Sequence, residues 1–174
     1  MLEVLLSVFV LLVGLMTIVA VMSGSLRHSY ETRDQIIATG LAQEGIELVR
    51  NVRDNNLIAS DGFDSFSMLL RNCRIDWDDS DLTCWLLRGD MDRYYLQNLG
   101  GRYARVNATQ ERYKRFIFVN YSAGGGKRAL VRSFVMWGGF LPTVANIPLI
   151  SGDPTRCQAS PTCVYTETFL TAWQ

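Results

Sequence analysis

The chain has 174 residues, 48% of them apolar, enough to support one domain with a buried core. Seventeen basic residues stand against seventeen acidic ones. No excess of Lys and Arg is there to capture nucleic acid, and no nucleic-acid partner is expected.

The apolar residues are unevenly placed. Val4 to Met22 carries no charge, whereas the chain after Ser23 is an ordinary soluble mixture. At ~1.5 Å rise per residue this stretch covers roughly 28 Å, close to the ~30 Å hydrocarbon thickness of a bilayer. Residues 1–24 are therefore expected to form a membrane-spanning helix. A cleavable secretory signal has a basic start, a shorter apolar core and a small-x-small cleavage site, and the run fits that pattern poorly. It holds a single carboxylate, Glu3, with nothing nearby in the run to pair with it. Arg27, His28 and Arg33 follow the span and no base precedes it, which by loop charge alone puts the following residues in the cytoplasm.

From Ser25 to Asn55 there is no proline, and apolar residues recur at Ile37, Leu41, Ile46, Leu48, Val49 and Val52. Charged residues (Arg33, Asp34, Glu44, Glu47, Arg50, Arg53 and Asp54) occupy the other sides. That is helical periodicity with one wet face, so residues 25–56 are expected to continue the same helix as an amphipathic segment. Gly40 and Gly45 weaken it by about 1 kcal/mol each relative to Ala, and Asn55-Asn56 offers a stop.

Residues 57–174 then change period. Gly62, Gly89 and "NLGGRY" mark turns in a stretch whose elements the pattern leaves open. "YKRFIFVNY" and "RALVRSFVMW", separated by Ser-Ala-Gly-Gly-Gly, read as an antiparallel hairpin. "VANIPLI" reads as a further strand broken by Pro148, and "VYTETFLTAW" as a terminal strand. The expected fold class is α+β: a long amino-terminal helix whose amphipathic half packs on a carboxy-terminal antiparallel sheet in a globular domain.

Four cysteines fall into two local pairs, Cys73 with Cys84 and Cys157 with Cys163. Two local disulfides are expected out of three possible connectivities, since short loops close at small entropic cost. Disulfides persist outside the reducing cytoplasm, against the placement that loop charge suggests. Zinc is disfavoured, because the spacings are not C-x2-C and the one histidine, His28, lies far along the chain from all four thiols.

Other motifs read as ordinary structure. "DWDDSD", Asp76 to Asp81, lacks the glycine and distal glutamate of a calcium loop and reads as a solvated loop. "GGGKRA" lacks phosphate-loop spacing and reads as a turn. Asn107-Ala-Thr109 and Asn120-Tyr-Ser122 are glycosylation sequons of a kind common by chance. Trp77, Trp85, Tyr94 and Tyr95 are candidates for an adhesive surface, although aromatics are more often core. No acid, base and nucleophile set stands out, so neither enzymatic activity nor a cofactor or metal is expected.

"LEVLLSVFVLLVGLM", with an acid directly after the leucine that opens the apolar run, resembles the start of type IV pilins and their pseudopilin relatives. The continuous helix through "GLAQEGIELVRNVRDN" and the β-region closed by a Cys pair and "FLTAW" extend the likeness over the whole chain. The resemblance implies a basic leader removed at the cytoplasmic face by a prepilin peptidase, then methylation of the new amino terminus; such a leader accounts for the charge conflict. Met1 and Leu2 alone precede the acid here, fewer than in family members, and the helix-breaking proline of many major pilins is missing from the apolar half.

The resemblance also implies assembly residues. Glu3 is expected to meet the ammonium of a neighbouring copy, such as that at Met1, and Gly14 and Ser23-Gly24-Ser25 to be the weak points of the helix. The implied function is a structural subunit of an extracellular filament, held in the inner membrane before the assembly machinery adds it, and serving adhesion, motility or DNA uptake. The alternative is a minor pilin, pseudopilin or membrane-tethered binding module that does not polymerise in bulk.

Overall fold

A computed structural model describes residues 1–59, 71–77, 79, 83–85, 94–105, 111–122, 127–138 and 153–171. "VANIPLI", Asn107-Ala-Thr109, the Gly124–Gly126 run, Gly62, Gly89, the Trp85 side chain and most of Asp78 to Asp81 lie outside them.

Helix α1 runs without interruption from Leu2 to Ile58, two residues past the stop expected at Asn55-Asn56. The chain divides into two compact units, Met1–Ile36 and Ile37–Gln174, so the division falls inside the segment read as amphipathic. In the second unit α1 buries Ala38, Leu41, Ala42, Ile46, Val49 and Val52, a stripe at three- and four-residue steps. The larger of these side chains contribute about 1.5–3 kcal/mol apiece on burial.

Seven strands form one antiparallel sheet among the described residues: β1 (Arg71–Arg74), β2 (Thr83–Trp85), β3 (Tyr95–Leu99), β4 (Arg102–Arg105), β5 (Tyr113–Ser122), β6 (Arg128–Trp137) and β7 (Cys163–Thr171). β5 is central. Its whole length pairs with β6, from Tyr113↔Trp137 to Ser122↔Arg128. Its other edge takes β3 at Tyr113 and Lys114 and β1 from Ile117 to Val119. β7 pairs along β6, β2 along β1 and β4 along β3. The β3–β4 turn is Gly100-Gly101, at φ 65° and 97°, the positive values that a two-residue hairpin turn demands. Asn98 Oδ1 accepts from Gly101 N at 2.7 Å.

Strand alternation splits β5 and β6 between two faces. Tyr113, Ile117, Val119, Ala129, Val131, Val135 and Trp137 join the α1 stripe in the core. On the opposite face, Phe116, Phe134 and Met136 pack with Cys157 and Cys163, flanked by Tyr94, Phe118 and Tyr165. Part of that cover is a short helix, α2 (Pro154–Gln158), whose start is spelled out by "DPT": Asp153 Oδ1 accepts from Thr155 N at 3.0 Å and Pro154 occupies the first turn.

Candidate assembly surface

The first unit consists of α1 alone, up to Ile36. Every side chain from Met1 to Arg33 is exposed, including Leu2, Leu5, Phe9, Leu12, Leu15, Ile18 and Val21. The segment is long and apolar enough to cross a bilayer. A helix is the element suited to this environment, because its backbone hydrogen bonds close within the segment. The two hydroxyls of the charge-free run Val4 to Met22 follow the same rule: Ser7 Oγ donates to Val4 O at 2.9 Å and Thr17 Oγ1 donates to Gly14 O at 2.7 Å. Neither hydroxyl proton is left seeking a partner on the apolar surface.

Glu3 sits in the first turn of α1, where the partial positive charge of unsatisfied N–H groups favours a carboxylate. Among the described residues it makes no ion pair or hydrogen bond through its side chain. Met1 precedes the helix and accepts from Leu5 N at 3.3 Å; its ammonium and the Glu3 carboxylate are not paired within the chain. Gly14 has open space around it, with nothing within 4 Å of where a Cβ would stand.

The cysteines form two disulfides, Cys73–Cys84 with Cα atoms 4.1 Å apart and Cys157–Cys163 with Cα atoms 5.2 Å apart. The first joins register partners on β1 and β2. The second ties α2 to the start of β7. Among the described residues no group of three or more His, Cys, Asp or Glu is placed to hold a metal ion.

The acidic segment differs from a solvated loop where it is described. Asp76 is buried; its Oδ1 accepts from Trp77 N, and its own N–H donates to Asp79 Oδ2, both at 2.8 Å. These carboxylates organise the local backbone. The aromatics divide: Tyr95 is buried, whereas Trp77 is exposed with the Arg102 guanidinium 4.9 Å from its ring centroid.

The polar centre of the second unit was not anticipated in the sequence. Arg115 is buried on the α1 side of β5, where it donates to Ile75 O at 3.0 Å and to Leu41 O at 3.4 Å and pairs with Glu44 at 3.4 Å. Burial pushes its guanidinium below the ordinary arginine value, and the Glu44 and Asp76 carboxylates pull the other way. Beside it α1 comes so close to β6 that a Cβ at Gly45 would collide with Ser133 Oγ and stand 3.1 Å from Arg115 Cδ. Gly45 is therefore a requirement of close approach rather than a mere weak point. On the opposite face Lys114 is buried with its Nζ 4.3 Å from the ring centroid of Tyr95, its partner in register, and without a hydrogen bond among the described residues. The readable signal was Lys114-Arg115 inside an apolar strand: adjacent strand residues face opposite ways, so at least one had to point into a core.

No known family model matches the chain, and no curated protein or solved structure matches it either.

Proposed function

We propose that this chain is a pilin-like structural subunit, held in a membrane by the first part of α1 and built into a surface filament by bundling that part with copies of itself. The observation that carries this reading is the exposed, uninterrupted apolar stretch of α1 up to Met22, whose one carboxylate, Glu3, has no partner among the described residues. In a bundle of such helices a lone buried charge costs several kcal/mol, and an opposite charge from the neighbour offsets that cost enough to be tolerated and can set axial register. The amino-terminal ammonium of the neighbouring copy is the partner of matching charge. A peptidase that trims a leader and the machinery that extracts subunits from the inner membrane are the further partners of this reading.

The exposed Trp77–Arg102 pair supports a second reading, in which the globular part of a minor or membrane-tethered subunit binds a target and the chain does not polymerise in bulk. Electron microscopy of sheared surface material separates the two: long filaments composed mainly of this chain support the first, and their absence favours the second. Glu3→Leu then tests the pairing. Insertion stays intact because the span becomes more apolar, while the ratio of filament to membrane-held subunit drops sharply, with Glu3→Gln intermediate. Unchanged ratios in both variants would refute the pairing role.

A further inference from the structure

The end of the apolar run is as particular as its beginning. Leu26 and Tyr30, both exposed, are interleaved with exposed Arg27, His28 and Arg33. At ~3.6 residues per turn, the three basic residues lie about a third of a turn from one another around the axis. They therefore ring the helix rather than line one side. From Arg27 to Arg33 the axial rise is about 9 Å, comparable with the headgroup layer of roughly 5–8 Å on each side of a bilayer.

The acids nearby do not cancel this ring. Glu31 engages Arg27 only through Nε, at 3.2 Å, in an exposed pair. Pairs of this kind are weak, and Arg preceding Glu is the poorer order along a helix. The two terminal amino groups of the Arg27 guanidinium stay available to phosphate oxygens, which they match in geometry. Asp34 is buried and already engaged. Tyr30 supplies the amphipathic ring that settles at the boundary between hydrocarbon and headgroups.

We propose that residues 26–33 form a collar that binds anionic phospholipid head groups at the surface where α1 leaves the bilayer. Arg27, His28 and Arg33 donate to phosphate oxygens, and the Tyr30 ring lies at the level of the glycerol backbone. The collar deepens the membrane reading above and rests on it. It fixes how far α1 sinks before assembly and gives the waiting subunit a shell of chosen lipids.

The test reconstitutes the full chain in phosphatidylcholine vesicles carrying a trace of spin-labelled lipid and compares the immobilised fraction for labelled phosphatidylglycerol with that for labelled phosphatidylcholine. The collar predicts selection of phosphatidylglycerol by about fivefold, the size expected for one well-placed base. The preference falls at high salt and is lost in an R27Q/R33Q double variant whose total immobilised lipid is unchanged. Equal fractions of the two lipids, or an undiminished preference in the double variant, would overturn the collar while leaving the membrane reading standing. A chain that immobilises neither lipid has not entered the bilayer, which overturns both.

Discussion

Helix α1 is one element by its hydrogen bonds and two by its surroundings. Before Ile36 its leucines, valines and phenylalanine are exposed without exception, whereas after it Leu41, Ile46, Val49 and Val52 are buried against a sheet of their own chain. The composition of the two parts explains why. The first is apolar on every side and no single face of a sheet could cover it. The second has a wet face and a dry stripe, and the stripe matches the alternating face of β5 and β6. Apolar content alone does not say whether a helix is core; its distribution around the axis does.

Removing the charge-free run at the start of the first part gives the largest expected effect. A chain beginning at Arg27 is expected to be soluble, monomeric and folded, and to lose assembly entirely, as size-exclusion chromatography and circular dichroism would register. Aggregation despite intact disulfides would mean that the sheet does not satisfy the apolar side chains of the second part. The next effect belongs to the polar centre. Arg115→Ala removes the cation facing Glu44 and buried Asp76 and the guanidinium donor to Leu41 O and Ile75 O, a loss of about 3–5 kcal/mol by the usual size for breaking a buried pair. Denaturant unfolding of the Arg27-onward chain measures it, and a loss below about 1 kcal/mol, the level of a surface pair, would show Arg115 to be incidental.

Replacing Cys73 and Cys84 together by Ala is expected to cost about 2–4 kcal/mol, read as a lower unfolding midpoint. Because Cys73 is fully buried beside Val49 and Ile117 in one core cluster, the loss should reach α1. Faster hydrogen exchange near Val49 checks this, and exchange confined to β1 and β2 would contradict it.

The finest comparison uses two glycines of one helix. Gly45→Ala meets Ser133 and Arg115, whereas Gly40→Ala meets nothing within 4 Å. The first is expected to lose about 1–3 kcal/mol by overpacking, the second to gain up to about 1 kcal/mol in helix propensity. Ser133→Ala should restore part of the first loss, since Ser133 Oγ is the nearest atom struck and is itself buried without a hydrogen-bond partner among the described residues. If both glycine variants shift the unfolding midpoint in the same direction, the close approach at Gly45 is not real.

The outline of the fold was legible because it rests on periods. The charge-free run, the three- and four-residue steps after Ile37 and the two strands around Ser-Ala-Gly-Gly-Gly each declare an element, and β5 and β6 fall on "YKRFIFVNY" and "RALVRSFVMW". What escaped was set by partners distant in sequence. Ala38 and Ala42 look like ordinary helix formers and Gly45 like a weak point until β5 and β6 come up against them, and Arg115 looks solvated until Glu44, Ile75 and Asp76 surround it. Helix α2 was missed for the opposite reason: its "DPT" start is local and readable, but five residues are too few for a period to show. Glu3 was visible at once, because it is the one charge in an otherwise apolar run.

Arg115 also bears on how the globular part responds to being pulled. Apolar packing slides: when a leucine shifts past a valine, one contact is exchanged for another of nearly equal depth, and resistance builds slowly. The bonds from Arg115 to Leu41 O and Ile75 O have no such successor, because the next carbonyl along α1 lies a rise away and the guanidinium is enclosed. Tension applied along the helix is expected to load this fastening to the central strand, and through it the ladders on both edges of β5. The greasy stripe gives toughness, and one arginine supplies the grip that keeps it from creeping.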